Sequence, residues 1–266
     1  MDNRPIGIFD SGFGGLTALR ALRELMPGED IVFFGDNARM PYGVRSEREL
    51  RFIARQDLDF VASFGVKAMI VACGTMSATA PDIIAGYPVP SVGIVESAAR
   101  AMGAYSGTLG VIATEASIRS GAFQRAILSQ RPEAEVMAIP CPDFVLLTEN
   151  GRTSKEDSAV REAVRRYLFP MKEAGVRALL LGCTHFGLLS EAIRDYLGEV
   201  PLISASKLAA EELCRRLREA GAEGGSGKTV YMTSGSTAEF EQKASLLLRE
   251  EIHGAVSVPV MEEFKQ

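Results

Sequence analysis

The feature that most constrains this chain is a pair of apolar stretches that each end in a cysteine. Residues 179–181 are three leucines, and a glycine then leads into Cys183, a threonine and His185. Residues 68–72 are likewise apolar and run into Cys73, 110 residues earlier than Cys183. Short apolar runs bounded by turn residues predict buried strands, and ligands bind at the carboxyl ends of strands in open α/β sheets. The sequence therefore predicts an α/β fold with two half-sites that each supply a thiol.

The pattern of strands and helices begins a second time near the middle of the chain. An apolar strand at residues 6–9 leads into the glycine-rich turn 10–15, and leucines at helical spacing follow. Residues 107–114 repeat this opening strand, and matching Gly7 to Gly110 gives an offset of 103, close to the offset between the two cysteines. Self-similarity at a nearly constant offset indicates repeated architecture. We therefore predict two similar α/β halves.

The composition narrows the class of protein. With 266 residues, of which 47% are hydrophobic, the chain is long enough for one large or two medium globular domains. Its net charge of −5 and its evenly spread charged residues give no basic patch for a nucleic acid. Residues 1–5 contain no apolar signal segment, and no later stretch approaches the roughly 20 apolar residues that span a bilayer. We expect a cytoplasmic protein without a nucleic acid or membrane partner.

Two glycine-containing segments come close to nucleotide-binding motifs without matching them. Residues 12–15 read Gly-Phe-Gly-Gly, which fails the dinucleotide fingerprint and disfavours a hydride-transfer enzyme. These glycines either shape a tight turn or let a small anion approach the following helix. Residues 221–229 come near the phosphate-loop pattern, but Ala222 replaces the first glycine and a strand follows in place of a helix. We interpret that segment as a flexible linker.

The four cysteines differ in their sequence contexts. Cys141 and Cys214 have the contexts of small buried hydrophobes, whereas Cys73 and Cys183 end strands and precede loops that contain glycine and threonine. Helix N-termini and hydrogen-bond donors control the basicity of thiolates, so this pair is a candidate for catalysis. A metal site built from the pair and His185 is an alternative, although the sequence has no second ligand cluster. None of the spacings suggests a disulfide framework, and we expect free thiols.

Taken together, these motifs resemble those of the glutamate racemase family, the cofactor-independent two-cysteine racemases that supply D-glutamate for bacterial peptidoglycan. The resembling segments follow the family's order and spacing over nearly the whole chain. They are Phe9-Asp10-Ser11-Gly12, Gly14-Gly15-Leu16, Gly35-Asp36 with Arg39, Pro41-Tyr42-Gly43, Ala72-Cys73 with Thr75, and Gly182-Cys183-Thr184-His185. No single motif is specific, but the set is.

The resemblance implies a fold and a set of partners. It implies two similar α/β domains with mostly parallel sheets, a pseudo-twofold relation, and an active site in the cleft between them. The first domain is expected at residues 1–96 plus 209–266 and the second at residues 97–208. The implied partner is a small-molecule substrate, D- or L-glutamate, with no pyridoxal phosphate, metal or nucleotide as cofactor. The family often forms homodimers.

The resemblance also implies a role for each site residue. In the family, the position of Cys73 takes the α-proton from the D-isomer and that of Cys183 takes it from the L-isomer, and the two exchange thiol and thiolate roles on each turnover. Asp10 and His185 are the implied proton-relay or pKa-tuning partners of the first and second thiol, and Glu149 is an assisting carboxylate. The implied substrate-binding residues are Asp10, Ser11, Pro41, Tyr42, Gly43, Gly74, Thr75, Ser117, Thr184 and His185.

Three positions depart from the family's usual pattern. Gly74 stands where asparagine is common, Ser117 where threonine is usual, and Gly187 where proline is usual. Gly74 lacks an amide expected to hold polar groups of the substrate, and a buried group left unpaired costs on the order of 1–3 kcal/mol. Because Cys73, Cys183 and Asp10 are retained, we expect catalysis to persist and the departures to bear on substrate affinity or selectivity.

Two alternative functions stay open at this point. One is a racemase for aspartate or another acidic amino acid, and the other is a non-catalytic amino-acid-binding homologue. Because the opening strand begins close to Met1, no activation by a peptidoglycan precursor is expected.

Overall fold

The computed structural model describes residues 1–259 and contains two parallel sheets. The strands are β1 Ile6–Asp10, β2 Ile31–Gly35, β3 Ala68–Val71, β4 Ser91–Gly93, β5 Thr108–Ala113, β6 Glu135–Pro140, β7 Ala178–Leu181, β8 Leu202–Ser204, β9 Thr229–Thr233 and β10 Val256–Ser257. The α-helices are α1 Leu16–Leu25, α2 Glu47–Ala62, α3 Gly74–Thr79, α4 Pro81–Ala85, α5 Ile94–Met102, α6 Glu115–Ser120, α7 Ala122–Gln130, α8 Pro142–Glu149, α9 Ser158–Glu173, α10 Ser190–Leu197, α11 Ala205–Glu219 and α12 Thr237–Leu248. Within residues 1–259, no helix has the length and apolar character needed to cross a membrane.

The two sheets repeat one strand order. The six-stranded sheet runs β10-β9-β2-β1-β3-β4 and the four-stranded sheet runs β6-β5-β7-β8. The order β2-β1-β3-β4 thus recurs as β6-β5-β7-β8, and every strand pair in the described part of the chain is parallel. The predicted α/β class with two mostly parallel sheets is confirmed.

The predicted domain boundaries are consistent with the sheets but stay a prediction. The strands of the first sheet fall within residues 1–96 and 209–266, and those of the second fall within 97–208. Residues 260–266 of the predicted first domain lie outside the described residues.

Three buried apolar clusters hold the layers together. In β1, Ile8 belongs to a central cluster and its neighbour Phe9 to an outer one, because successive strand residues point to opposite faces. The central cluster also includes Val111 of β5 and residues of α5 and α11, so it joins the inner faces of both sheets. The third cluster covers the outer face of the second sheet, where Leu179 packs with residues of α9. This shared core leaves the carboxyl ends of the strands in both sheets free to form a site.

The sequence pattern also predicts a strand at residues 90–95, a single helix near residues 77–85 and a polar loop around Glu149. The structure differs from each of these three local predictions. The strand predicted at residues 90–95 ends at Gly93, and α5 begins at Ile94. The single helix predicted near residues 77–85 is split into α3 and α4 at Ala80, which precedes Pro81 and has the non-helical angles φ −130 and ψ 42. Glu149, expected in a polar loop, is the last residue of α8.

The segment 221–229 is bound by the protein's own carboxylates. Asp30 accepts hydrogen bonds from the backbone N–H groups of Ser226 and Lys228, each at 2.9 Å, and Glu29 accepts one from Gly224 at 3.0 Å. Three N–H groups of this segment are therefore already occupied and not available to a phosphate. The segment connects α11 to β9, as predicted, but these bonds hold it in place, so it is not a flexible linker.

Candidate active site

The two strand-end cysteines face one cavity. Cys73 follows β3 and is the residue before α3, while Cys183 follows β7 and precedes the 3₁₀ helix Thr184–Leu189. β3 lies next to β1 in the first sheet, and β7 lies next to β5 in the second sheet. Because β1 and β5 are equivalent strands, the two thiols occupy equivalent places in the two sheets. Both cysteines are buried and have free thiols.

The cavity between the two sheets has a volume of about 160 Å³ and is lined from both halves of the chain. Most predicted site residues line it. These are Asp10, Ser11, Pro41, Tyr42, Gly43, Cys73, Gly74, Thr75, Cys183, Thr184 and His185. Two predicted residues lie behind this wall: Glu149 contacts His185, and Ser117 contacts the wall residue Thr114. A concave pocket that combines apolar wall residues with polar side chains is typical of a small-molecule site.

Cys73 lies in surroundings that favour its protonated form. Burial and the nearby Asp10 carboxylate raise the pKa of the Cys73 thiol to about 12, although the backbone N–H of Met76 and the hydroxyl of Ser11 act in the opposite direction. The thiol lies 3.5 Å from the Ser11 Oγ, to which it donates. With such a pKa, Cys73 is a thiol at neutral pH and can act as a proton donor.

Asp10 ends β1 beside this thiol and is itself enclosed. Its Oδ2 accepts a hydrogen bond from the backbone N–H of Gly15 at 2.8 Å. Burial raises the pKa of Asp10, while the charge of His185 and the surrounding backbone N–H groups lower it. Gly15 is needed for this contact because a Cβ at that position would lie 2.6 Å from the Asp10 Cβ. The glycine-rich turn therefore wraps around a carboxyl group of the protein.

Cys183 is linked through His185 to Glu149. The Cys183 Sγ lies 3.7 Å from Nδ1 of His185, and Nε2 of His185 lies 2.8 Å from Oε1 of Glu149. Burial lowers the pKa of His185, but the hydrogen bonds with Cys183 and Glu149 raise it to about 10. At neutral pH the imidazole is therefore protonated and donates one N–H toward the thiol and the other to the carboxylate.

Helix α8 delivers Glu149 to this contact. The rings of Phe144 in α8 and Phe186 in the 3₁₀ helix meet edge to face, with centroids 5.2 Å apart. This packing fixes the end of α8 beside His185. The Cys183 side of the cavity thus has a charged relay, and the Cys73 side has a carboxyl group.

The substrate-facing loop that carries Pro41, Tyr42 and Gly43 is anchored to buried charges. The phenol of Tyr42 contacts carboxylate oxygens of both Asp36 and Asp57. Arg39 donates from Nε to Asp36 at 2.6 Å and from Nη2 to Asp57 at 2.7 Å. All four side chains are buried, so the loop is held by a network that solvent does not screen.

A chain of hydroxyl groups crosses between the halves. Thr75 Oγ1 lies 2.8 Å from Thr114 Oγ1, which in turn lies 2.9 Å from Ser117 Oγ. Ser117 thereby reaches the site through Thr114.

Sequence reasoning missed several wall residues. The cavity is also lined by Met40, Val44, Thr114, Glu115, Pro142, Val145 and Leu146. The sequence did contain a signal for Thr114 as a site residue, because the offset of 103 that matches Gly7 to Gly110 also matches Ser11 to Thr114. The apolar wall residues of α8 had none, since their side chains resemble those of any amphipathic helix.

The described residues offer no alternative metal centre. Within residues 1–259, no group of three His, Cys, Asp or Glu side chains is arranged to hold a metal ion. The alternative of Cys73, Cys183 and His185 as metal ligands therefore has no support in the geometry.

Comparison with known proteins identifies the family. The family model described as Asp/Glu/Hydantoin racemase matches residues 17–213. This chain belongs to the Asp/Glu/Hydantoin racemase family. A curated glutamate racemase of Beutenbergia cavernae is 38% identical over 280 aligned positions, which cover 97% of this chain and 95% of the relative. The predicted resemblance is confirmed.

Solved structures of family members share the fold over the whole chain. Glutamate racemase from Francisella tularensis in complex with D-glutamate superposes with a TM-score of 0.91 at 34% identity, covering 98% of this chain and 99% of that one. Glutamate racemase from Thermus thermophilus in complex with beta-chloro-D-alanine gives 0.89 at 37% identity, again covering 98% and 99%. This chain therefore has the fold of these solved glutamate racemases over nearly all of its length.

Proposed function

We propose that this protein is a glutamate racemase that interconverts L- and D-glutamate by a two-base mechanism. The observation that carries the proposal is that two thiols, one from each sheet, line the same small cavity. Racemisation removes the α-proton from one face of the substrate and returns a proton to the other face. Two acid/base groups from opposite walls suit this reaction, whereas one group would have to serve both faces. The support for glutamate comes from the family members described above.

The two thiols have different neighbours, and this assigns them different roles in the reaction. Cys73, whose pKa is raised to about 12, starts as the proton donor. In the reaction from L-glutamate, Cys183 takes the role of the base, and its Sγ lies 3.7 Å from Nδ1 of His185. L-Glutamate would lose its α-proton to Cys183 and receive one from Cys73. The reverse reaction uses the same residues in exchanged roles. We place the substrate's ammonium group beside Asp10, where its positive charge would offset the negative charge of the Asp10 carboxylate.

Backbone donors would hold the substrate's carboxylates. Within residues 1–259, neither α3 nor the 3₁₀ helix after Cys183 has a side-chain N-cap, so no capping side chain occupies the first N–H groups of these helices. Helix N-termini favour anions, and a carboxylate there would carry the charge that develops next to Cα in the transition state. Thr75, Thr184 and Ser11 add hydroxyl groups to this wall.

The test is hydrogen exchange at Cα in D2O, followed by NMR, without added cofactor and with a chelator present. Wild-type protein should convert either isomer of glutamate, and the newly formed enantiomer should carry solvent deuterium while the remaining substrate largely keeps its proton. This pattern is the signature of two separate bases. Cys73→Ser and Cys183→Ser should each lower the racemisation rate by at least about 100-fold, because each removes one acid/base group.

Other outcomes would favour the alternative functions. Turnover of aspartate with none of glutamate would make the protein a racemase for a different acidic amino acid. Binding of both enantiomers without any exchange at Cα would make it a non-catalytic binding protein. Equal kcat/KM values in the two directions serve as a control, since the two isomers have equal free energies.

We further propose the cellular context that the family implies. The product D-glutamate would serve peptidoglycan synthesis in the cytoplasm, with no pyridoxal phosphate, metal or nucleotide required. The protein would work as a homodimer of chains divided into domains 1–96 plus 209–266 and 97–208. A single species of monomer mass by light scattering at micromolar concentration would exclude the dimer.

A further inference from the structure

Gly74 touches the backbone of the opposite half of the molecule. A Cβ placed on Gly74 would lie 2.1 Å from the carbonyl oxygen of Gly182 and 3.2 Å from its carbonyl carbon. Such distances are far shorter than real Cβ contacts, and the obstacle is backbone. No side chain fits at position 74 unless one of the two cysteine-bearing segments moves.

Gly182 is held in place and cannot move away from Gly74. Its N–H donates to the carbonyl of Ile112 in β5 at 2.8 Å, which fixes the end of β7 in the second sheet. A Cβ on Gly182 would lie 3.0 Å from the ring of Phe123 and 3.1 Å from the Ile112 oxygen. Phe123 is itself fully buried. The segment that carries Cys183 is therefore clamped.

Gly74 is equally fixed on its own side. The N–H of Ser77 donates to the carbonyl of Cys73 at 2.9 Å. The hydroxyl of Ser77 donates to the Val71 carbonyl at 3.0 Å and accepts from the N–H of Ile94 at 3.2 Å. These bonds tie α3 to β3 and α5, so the segment that carries Cys73 cannot shift alone.

We propose that Gly74 is a positioning residue whose contact with Gly182 sets the spacing between the two thiol-bearing segments and, with it, the size of acidic amino acid the cavity accepts. This inference rests on the proposed function. It replaces the expectation that Gly74 is only a missing amide. Where relatives commonly carry asparagine, the Gly182 carbonyl occupies the space in which that side chain would begin.

The same close approach recurs along the boundary between the halves. A Cβ on Gly14 would lie 2.1 Å from Thr184 Oγ1, and one on Gly43 would lie 3.1 Å from the Cβ of Thr114. Three glycines of the first half, Gly14, Gly43 and Gly74, thus lie in contact with residues of the second half. Each of them follows a strand of the first sheet. The contact at Gly74 is the one in which both partners are backbone and both are held by hydrogen bonds.

Any side chain at position 74 should therefore damage turnover, whatever its chemistry. Restoring an ordinary Cβ contact needs a displacement of about 1 Å, and a misplacement of that size can cost about 100-fold in rate. We expect Gly74→Ala and Gly74→Asn both to lower kcat about 100-fold, with a smaller change in KM. Gly187→Ala is the matched control, because a Cβ at position 187 would have no described atom within 4 Å apart from its chain neighbours and its own helix backbone. Its kcat should stay within twofold of wild type.

A size series separates spacing from a general loss of structure. Wild type should prefer glutamate over the longer 2-aminoadipate, and Gly74→Ala should shift the ratio of their kcat/KM values toward 2-aminoadipate by at least tenfold. A merely unstable variant would lose both activities together. Restored or increased activity in Gly74→Asn, or normal activity in Gly74→Ala, would overturn the proposal and favour the missing-amide explanation.

Crystal structures decide the spacing without relying on turnover. The distance between the Cα atoms of Cys73 and Cys183 should grow by about 1 Å in Gly74→Ala relative to wild type. If that variant does not fold, wild type with bound D-glutamate should keep Gly74 in contact with the Gly182 carbonyl, and a gap there would overturn the proposal. If wild type racemises no acidic amino acid, the proposed function fails while this structural comparison still tests the spacing.

Discussion

His185 is the residue whose protonation depends most directly on two named contacts. Burial lowers its pKa, but the hydrogen bonds with Cys183 and Glu149 raise the value from 6.5 to about 10. The folded protein therefore holds this proton more tightly than the unfolded chain does. The resulting stabilisation is fully present below pH 6.5 and is lost as the pH rises toward 10.

Glu149→Gln should weaken this proton binding while keeping an acceptor for His185. We expect the pKa of His185 to fall, the pH-dependent loss of stability to begin at lower pH, and kcat to drop roughly 10- to 100-fold because the relay behind Cys183 is impaired. NMR titration suits the test, because the chain has two histidines and His253→Gln identifies the second signal. An unchanged His185 titration in Glu149→Gln would mean that Glu149 does not support its charge.

At the residue scale, the sequence predicted the two candidate thiols but not the contacts between distant segments. Cys73 and Cys183 were predictable as a pair because each follows an apolar strand, and parallel strands bring such positions to one edge of a sheet. The role of Asp10 was implied by the family resemblance alone. The contact of Gly74 with Gly182 was not predictable, because it joins segments of different sheets and depends on ångström-scale packing. The resemblance implied that Glu149 is an assisting carboxylate, but its contact with His185 Nε2 was not predictable for the same reason.

Among the larger elements, the loop between β2 and α2 depends on a shared proton. The Tyr42 phenol carries one proton but contacts two carboxyl groups, those of Asp36 and Asp57. If Tyr42 donates to one, the other must itself be protonated to donate to the phenol oxygen. Burial and the neighbouring Asp36 carboxylate raise the pKa of Asp57 well above its usual range, against the effects of Arg39 and Tyr42. We therefore expect the shared proton to reside on Asp57.

Asp57→Asn should be tolerated, whereas Asp57→Ala should not. The asparagine amide can donate to Tyr42 and accept from Arg39 at all pH values, so we expect its free energy of unfolding at pH 7 to stay within about 1 kcal/mol of wild type. Alanine leaves Arg39 and Tyr42 short of a buried partner and should cost about 1–3 kcal/mol. Because the loop lines the cavity, alanine should also raise KM for glutamate. Urea unfolding and steady-state kinetics measure both effects.

The pH dependence provides an independent check on this element. A carboxyl group with a raised folded-state pKa favours folding most at low pH, and this contribution declines as the pH rises from about 4 through the folded-state pKa. Asp57→Asn has no proton to lose at this site, so its stability should decline less over that range. An equally steep decline in both proteins would place the shared proton elsewhere.

At the scale of the whole molecule, the repeated strand order explains how much was predictable. The restart of the pattern after residue 107 predicted two similar sheets, and the recurrence of β2-β1-β3-β4 as β6-β5-β7-β8 bears this out. How the halves meet was beyond the sequence, since the central core and the glycine contacts join residues far apart in the chain. Those contacts determine the size of the cavity.

Because both sheets line the cavity, ligand binding should stabilise both halves together. At 100 times its Kd, a ligand that binds only the folded state adds about 2.7 kcal/mol, which corresponds to a rise in Tm of roughly 5–10 °C for a chain of this size. D-Glutamate should produce this shift, and D-lysine, whose side chain has the opposite charge, should not. Hydrogen–deuterium exchange locates the effect: with D-glutamate, amides should gain protection both in α3, after Cys73, and in the 3₁₀ helix Thr184–Leu189, after Cys183. Protection of one segment alone would show that the ligand is held by a single half, and the two thiols would then not act on the same bound molecule.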